Sequence, residues 1–150
     1  MYFCSSKIRI LTKKILKFEI DLDFALIAIT APLRDYRLCY FINKYLNFDF
    51  KKIPDLAVDI YQGTIEPAHF SIYHTHWETT ETDFYLIANK GSDGLLIPEM
   101  REVDYFLMIR NFIDEIDLNR IISSLNRIQE ILAAVKIDPK KIKSRENLLF

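Results

Sequence analysis

The sequence predicts an α+β domain in which one antiparallel β-sheet carries helices on a single face. Three observations predict it. Phe24-Ala-Leu-Ile-Ala-Ile-Thr30 is a short, unbroken apolar run, as a strand covered on both faces requires. In the middle of the chain, runs rich in aromatic and β-branched residues are separated by short polar turns, which favours antiparallel pairing. Apolar residues then recur at helical spacing in two places, before and after those runs.

Taken in order, the first strand leads through Thr30 and Ala31 to Pro32, whose fixed φ suits a first helical turn. From Leu33 to Leu46 the polar residues Arg34, Arg37 and Lys44 form a stripe. Leu33, Tyr36, Cys39, Tyr40, Ile42 and Tyr45 are left as the apolar flank expected to lie on the sheet. Leu56, Val58 and Ile60 alternate with Ala57, Asp59 and Tyr61. His69 to Trp77 reads as a strand, Glu78 to Thr82 as a turn and Phe84 to Ala88 as a strand. Asn89-Lys-Gly-Ser-Asp-Gly94 is a turn in which Gly91 and Gly94 can supply positive φ. Leu95 to Ile97 and Val103 to Ile109 are the remaining strands. Asp117 is the expected N-cap of a helix running through Val135, with Asp138-Pro139 opening a shorter one. The apolar positions from Phe24 to Val135 are expected to close into a single core.

Composition bounds the class. At 150 residues, 50% apolar and 27% charged, the chain is one globular domain over 1–150 that needs neither disulfide nor metal to fold. Cys4 and Cys39 are two cysteines without a framework, and Cys39 is expected to be a buried free thiol. Lys7, Arg9, Lys13, Lys14 and Lys17 interrupt every apolar run near the start, so neither a secretory signal nor a membrane span is expected, and a cytoplasmic location follows. The net charge of −1 is unevenly spread, with basic ends flanking an acidic middle.

One motif stands out. Ile97, Pro98 and Glu99, three residues, then Val103, Asp104 and Tyr105 are followed by an ending that runs from Lys143-Ser144 to Asn147-Leu-Leu-Phe150. Together with Leu26-Ile-Ala-Ile29, Asp35-Tyr-Arg-Leu38 and Phe84-Tyr-Leu-Ile87, these residues resemble the IPExxxVDY family, small proteins of Bacteroidetes-type bacteria. The resemblance extends from about Lys13 to Phe150. It implies lineage and fold and brings no activity with it. Residues 1–12 go beyond that pattern, as a flexible extension or an upstream start would; the intact mass of the native protein distinguishes these. Physically, Pro98 biases Ile97 toward an extended conformation and cannot donate a ladder hydrogen bond, so a strand should end there. Glu99 and Asp104 could serve as paired carboxylates for acid–base work, or accept turn N–H groups or pair with a nearby arginine.

Other candidate sites are sparse. Alternation puts His74 and His76 on one strand face, where both could reach an ion if Asp83 or Glu81 supplied a third ligand. Phe70, Tyr73, Trp77 and Tyr85 lie on one hairpin and could form an interaction patch or cover the sheet. The helix to Val135, with Ala133 and Ala134, could pack across a dimer axis. Nucleophile elbows, Walker loops, dinucleotide fingerprints, zincin helices and paired-cysteine motifs are absent, and no cofactor is implied. The sequence therefore points first to a non-enzymatic protein-interaction or regulatory module, with a protein or a second copy as partner. The alternatives are a ligand-binding protein or enzyme using the carboxylates at the Pro98 turn, and RNA contact through the basic termini.

Overall fold

A computed structural model describes residues 24–59 and 66–150. Cys4, the basic N-terminal end, the extension over 1–12, and Ile60 and Tyr61 lie outside the described residues. Six strands form one sheet: β1 (Phe24–Thr30), β2 (Lys51–Val58), β3 (Ala68–Trp77), β4 (Thr82–Ala88), β5 (Tyr105–Arg110) and β6 (Ala133–Ile137). Their order across the sheet is β2-β3-β4-β5-β1-β6, and every neighbouring pair is antiparallel. Helix α1 (Asp35–Leu46) carries the chain from β1 to one edge, and α2 (Glu115–Asn126) carries it from β5 to the other. Both helices lie on the same face, so the predicted α+β class is what the chain adopts.

The expectation of a single core is corrected. The sheet separates two cores. Ile27, Ile29, Phe84, Leu86, Leu107 and Ile109 point to the helices, where Leu38, Ile42, Leu118, Ile121 and Leu125 meet them. Leu26, Phe70, Ile72, Ile87, Phe106 and Met108 point the other way. There, among the described residues, they are covered by Leu96, Ile97 and Val103 of the signature segment and by Ile142 and Leu148 of the C-terminal segment. Burial on both faces explains why β1 and β5 read as continuous apolar runs.

Several boundaries differ from the sequence expectation, each for a physical reason. The second helix ends at Asn126, not Val135, because Ala133–Ile137 is recruited as β6 to complete the open edge of β1. Period-2 and period-3.6 patterns coincide over so short a stretch, and the pairing decides. Its N-cap is Asp114, which accepts the Asp117 N–H at 2.8 Å; Asp117 is already helical. Ala133 and Ala134 therefore belong to an edge strand, which removes the alanine-lined helix proposed for a dimer axis. Leu95 makes only an isolated bridge to Lys90, and Ile97 leads into a 3-10 turn, Pro98–Met100. The strand expected over Leu95 to Ile97 therefore does not form, and the 3-10 turn at Pro98 follows a single bridge. Asp138 does cap the short turn Pro139–Lys141, accepting the Lys140 N–H at 3.0 Å.

Helix α1 is rotated relative to its predicted face. Leu38, Cys39 and Ile42 are buried, whereas Tyr36, Tyr40 and Tyr45 are exposed at 60%, 58% and 56%. The sheet below is already filled by Phe48, Phe84 and Trp77, which stack closely, so the smaller side chains pack inward. Cys39 is a buried free thiol, its pKa pushed up to about 11 by burial and by the Asp35 carboxylate.

The two edge strands are closed by the same device. Asn43 of α1 accepts the Phe50 N–H at 2.8 Å and donates to the Phe50 carbonyl at 3.2 Å, just before β2. Asn126 of α2 does the same to Ala134 in β6, both bonds at 2.9 Å. Each amide presents a donor and an acceptor to one residue, as a neighbouring strand would.

Candidate functional site

The signature residues form a two-sided clasp centred on Asn89. Asn89 follows β4 and is fully buried. Its side chain donates to the Met100 and Val103 carbonyls at 3.0 and 2.8 Å and accepts the Ile97 N–H at 2.8 Å. Its main chain bonds Asp104 and Leu96. The whole segment 96–104 is thereby wrapped around one amide. Nothing in the sequence pattern marked Asn89 beyond its place in a turn. Its importance lies in contacts with residues up to 15 positions away, which a local pattern does not encode.

On one side, the Ile-Pro-Glu half holds the C-terminal segment. Ile97 is buried in the second core, and Glu99 accepts the Ser144 N–H at 2.8 Å and its hydroxyl at 2.9 Å. Asn147 donates to the Leu96 carbonyl at 2.8 Å. On the other side, the Val-Asp-Tyr half holds the link between β1 and α1. Val103 is buried; Asp104 accepts the Ala31 N–H at 2.8 Å and pairs with Lys90 at 2.7 Å; the Tyr105 hydroxyl donates to the Leu33 carbonyl. Burial, followed by the Asp35 and Asp104 carboxylates, pushes the Tyr105 phenol up to about 12. The two signature carboxylates therefore serve separate segments, and each has its oxygens engaged by partners in the fold.

Glu99 is poised as an acceptor. Partial burial raises its pKa, but the Ser144 N–H and hydroxyl and further main-chain donors outweigh this and hold it below the usual carboxylate range. A group whose folded pKa is depressed stabilises the fold above its unfolded value, and that contribution is lost as pH falls through the folded value. The Ser144 tether is thus expected to be at full strength near neutral pH and to loosen in acid. The hydrogen-exchange protection factor of the Ser144 amide should fall through the acidic range in the wild type. In Glu99→Gln it should be low throughout; matching pH profiles would rule the tether out.

His74 and His76 do meet Asp83, across the hairpin as the register requires. His74 Nε2 and His76 Nδ1 both lie 2.9 Å from Asp83 Oδ1, and Asn111 donates to Oδ2 at 3.0 Å. Burial opposes ionisation of Asp83, but the two imidazole hydrogen bonds prevail and lower its pKa. Among the described residues, no group of three His, Cys, Asp or Glu side chains is placed to hold a metal ion. The cluster shares a carboxylate at the end of the β3–β4 hairpin.

The hairpin aromatics do not form one patch. Tyr73 and Trp77 pack on the helix side, Phe70 and Tyr85 on the other. Exposed aromatics among the described residues are Tyr36, Tyr40 and Tyr45 of α1, together with Phe112 and Phe150. Tyr40 and Phe41 meet edge to face at 5.5 Å, and Phe41 stacks on Tyr45 at 6.3 Å. Arg37 lies over Phe41 at 5.7 Å, and Lys44 lies 5.7 Å from Tyr40 and 5.4 Å from Tyr45. Sequence periodicity placed Tyr36, Tyr40 and Tyr45 on the flank facing the sheet and left out Phe41, which is the ring partly buried against it.

Two of the surface hollows border the signature and C-terminal segments. A cleft of about 950 Å³ lies between α2, the ends of β1, β5 and β6, and the C-terminal turn, lined by Phe24, Phe112, Leu118, Lys136 and Lys141. A smaller one of about 300 Å³ is bounded by Leu33, Arg34, Lys90, Asp104 and Tyr105. No described helix is long and apolar enough to cross a membrane. No protein-family model, curated protein or solved structure matches the chain. Its class is therefore defined by its architecture: a six-stranded antiparallel α+β sheet protein whose signature turn binds its own two connecting segments.

Proposed function

We propose that this chain is a non-enzymatic interaction module of the IPExxxVDY family, acting in the cytoplasm, with α1 as its docking face. The observation that carries this is the exposure of Tyr36, Tyr40 and Tyr45, each more than half open to solvent. Exposing large rings to water is unfavourable, and aromatic residues with arginine dominate the energetics of protein interfaces. The signature supports the same reading from the other direction. Glu99 and Asp104 are occupied in holding the fold together, which suits a scaffold better than acid–base chemistry.

The test is recovery of the tagged protein from its own cells after mild crosslinking. The wild type is expected to retain a partner that Tyr36→Ser/Tyr40→Ser loses, while circular dichroism of the variant is unchanged. Recovery of the wild type alone, as a monomer, would defeat the proposal.

A further inference from the structure

We infer that the outward face of α1 docks a short acidic segment of a partner protein that also carries aromatic side chains. This rests on the interaction-module reading above and specifies its partner. Two parallel rows run along the helix at i, i+4 spacing: Tyr36, Tyr40 and Lys44, and Arg37, Phe41 and Tyr45. Each row combines rings and a cation. Neither Arg37 nor Lys44 has a carboxylate within ion-pair distance among the described residues. The one acid of α1, Asp35, turns inward to the Tyr73 hydroxyl at 3.0 Å.

Among the described residues the face therefore offers positive charge without a carboxylate counterion, and its cations lie over rings of which Tyr40 and Tyr45 are more than half exposed. Carboxylates would satisfy the cations, and aromatic side chains would cover the rings. From Tyr36 to Tyr45 the helix rises roughly 14 Å, which an extended segment spans in about 4–5 residues. That length fits a short linear segment.

A single-stranded nucleic acid would also combine negative charge with stacking rings. The charge of the chain disfavours it. Residues 18–117 hold 18 acidic against eight basic groups, an excess that works against a long polyanion more than against a short segment.

The experiment titrates the full chain into a fluorescently labelled random copolymer of glutamate and tyrosine. Polyglutamate and oligouridylate are the comparators, and anisotropy is the readout. The copolymer is expected to bind, and Tyr40→Ser/Tyr45→Ser and Arg37→Glu/Lys44→Glu are each expected to weaken it at least about tenfold. Melting temperatures of both variants should match the wild type, since the altered side chains lie on the outer surface of α1. Absent copolymer binding, equal binding of polyglutamate, or tighter binding of oligouridylate would each overturn the inference. If crosslinked recovery still depends on Tyr36 and Tyr40 while the copolymer fails, the partner chemistry is wrong and the docking face stands. If both fail, the face itself is wrong.

Discussion

Asn89→Ala is expected to lower the unfolding free energy by about 3–5 kcal/mol, the largest loss from any single polar truncation in the described structure. The side chain is fully buried and engages three main-chain groups, those of Ile97, Met100 and Val103. Truncation leaves a donor and two acceptors without partners in a region water reaches poorly, at about 1–3 kcal/mol for each unsatisfied group. The effect should spread, because the 96–103 segment it organises covers Leu26, Phe106 and Met108. Urea denaturation monitored by far-ultraviolet circular dichroism checks it: the midpoint should fall steeply. Asn89→Asp separates hydrogen bonding from volume. It retains an acceptor for Ile97 but faces two carbonyls with a carboxylate, so it should be at least as damaging as alanine. A loss below about 1 kcal/mol in both variants would show that the clasp is not organised by this residue.

Gly91→Ala is expected to cost about 2–3 kcal/mol, through lack of room rather than backbone conformation. The sequence suggests positive φ at Gly91; the structure instead shows a close approach. An added Cβ would lie 2.5 Å from the His69 carbonyl oxygen and 2.6 and 2.7 Å from two ring carbons of Phe70. The ring is fully buried and cannot swing away, and the carbonyl is held by the Ser92 N–H at 3.1 Å. For a domain of this size such a loss lowers the melting temperature by roughly 5–10 °C. Phe70→Leu in the Gly91→Ala background should recover part of it, since the ring contacts vanish while the carbonyl contact remains. If the double variant is no better than the sum of the two single losses, the ring is not the obstacle.

How much of this was legible in the sequence varies by element. β1 and β5 were readable because strands buried on two faces must be apolar at nearly every position, and β3 and β4 through their aromatic and β-branched residues between polar turns. The cap at Asp138 was readable because it depends on adjacent residues and on the proline that follows it. The rotation of α1 was not. Leu33, Tyr36, Cys39 and Tyr40 form as coherent an apolar arc as Leu38, Cys39 and Ile42, and the choice depends on how much space Phe48, Phe84 and Trp77 leave beneath. The same holds for the candidate site. The signature residues could be named, as could the approach of His74 and His76 to Asp83, but their partners Ser144, Ala31 and Lys90 are remote in sequence.

The sequence by itself determined the class of this protein, one antiparallel sheet with helices on one face, because period and turn chemistry are local properties. Only the tertiary structure decided that the sheet has two cores, that 133–137 is a strand, and that the signature is a clasp. Each of these depends on which distant group arrives to satisfy an open edge, an apolar face or a buried amide, and that is settled when the whole chain closes.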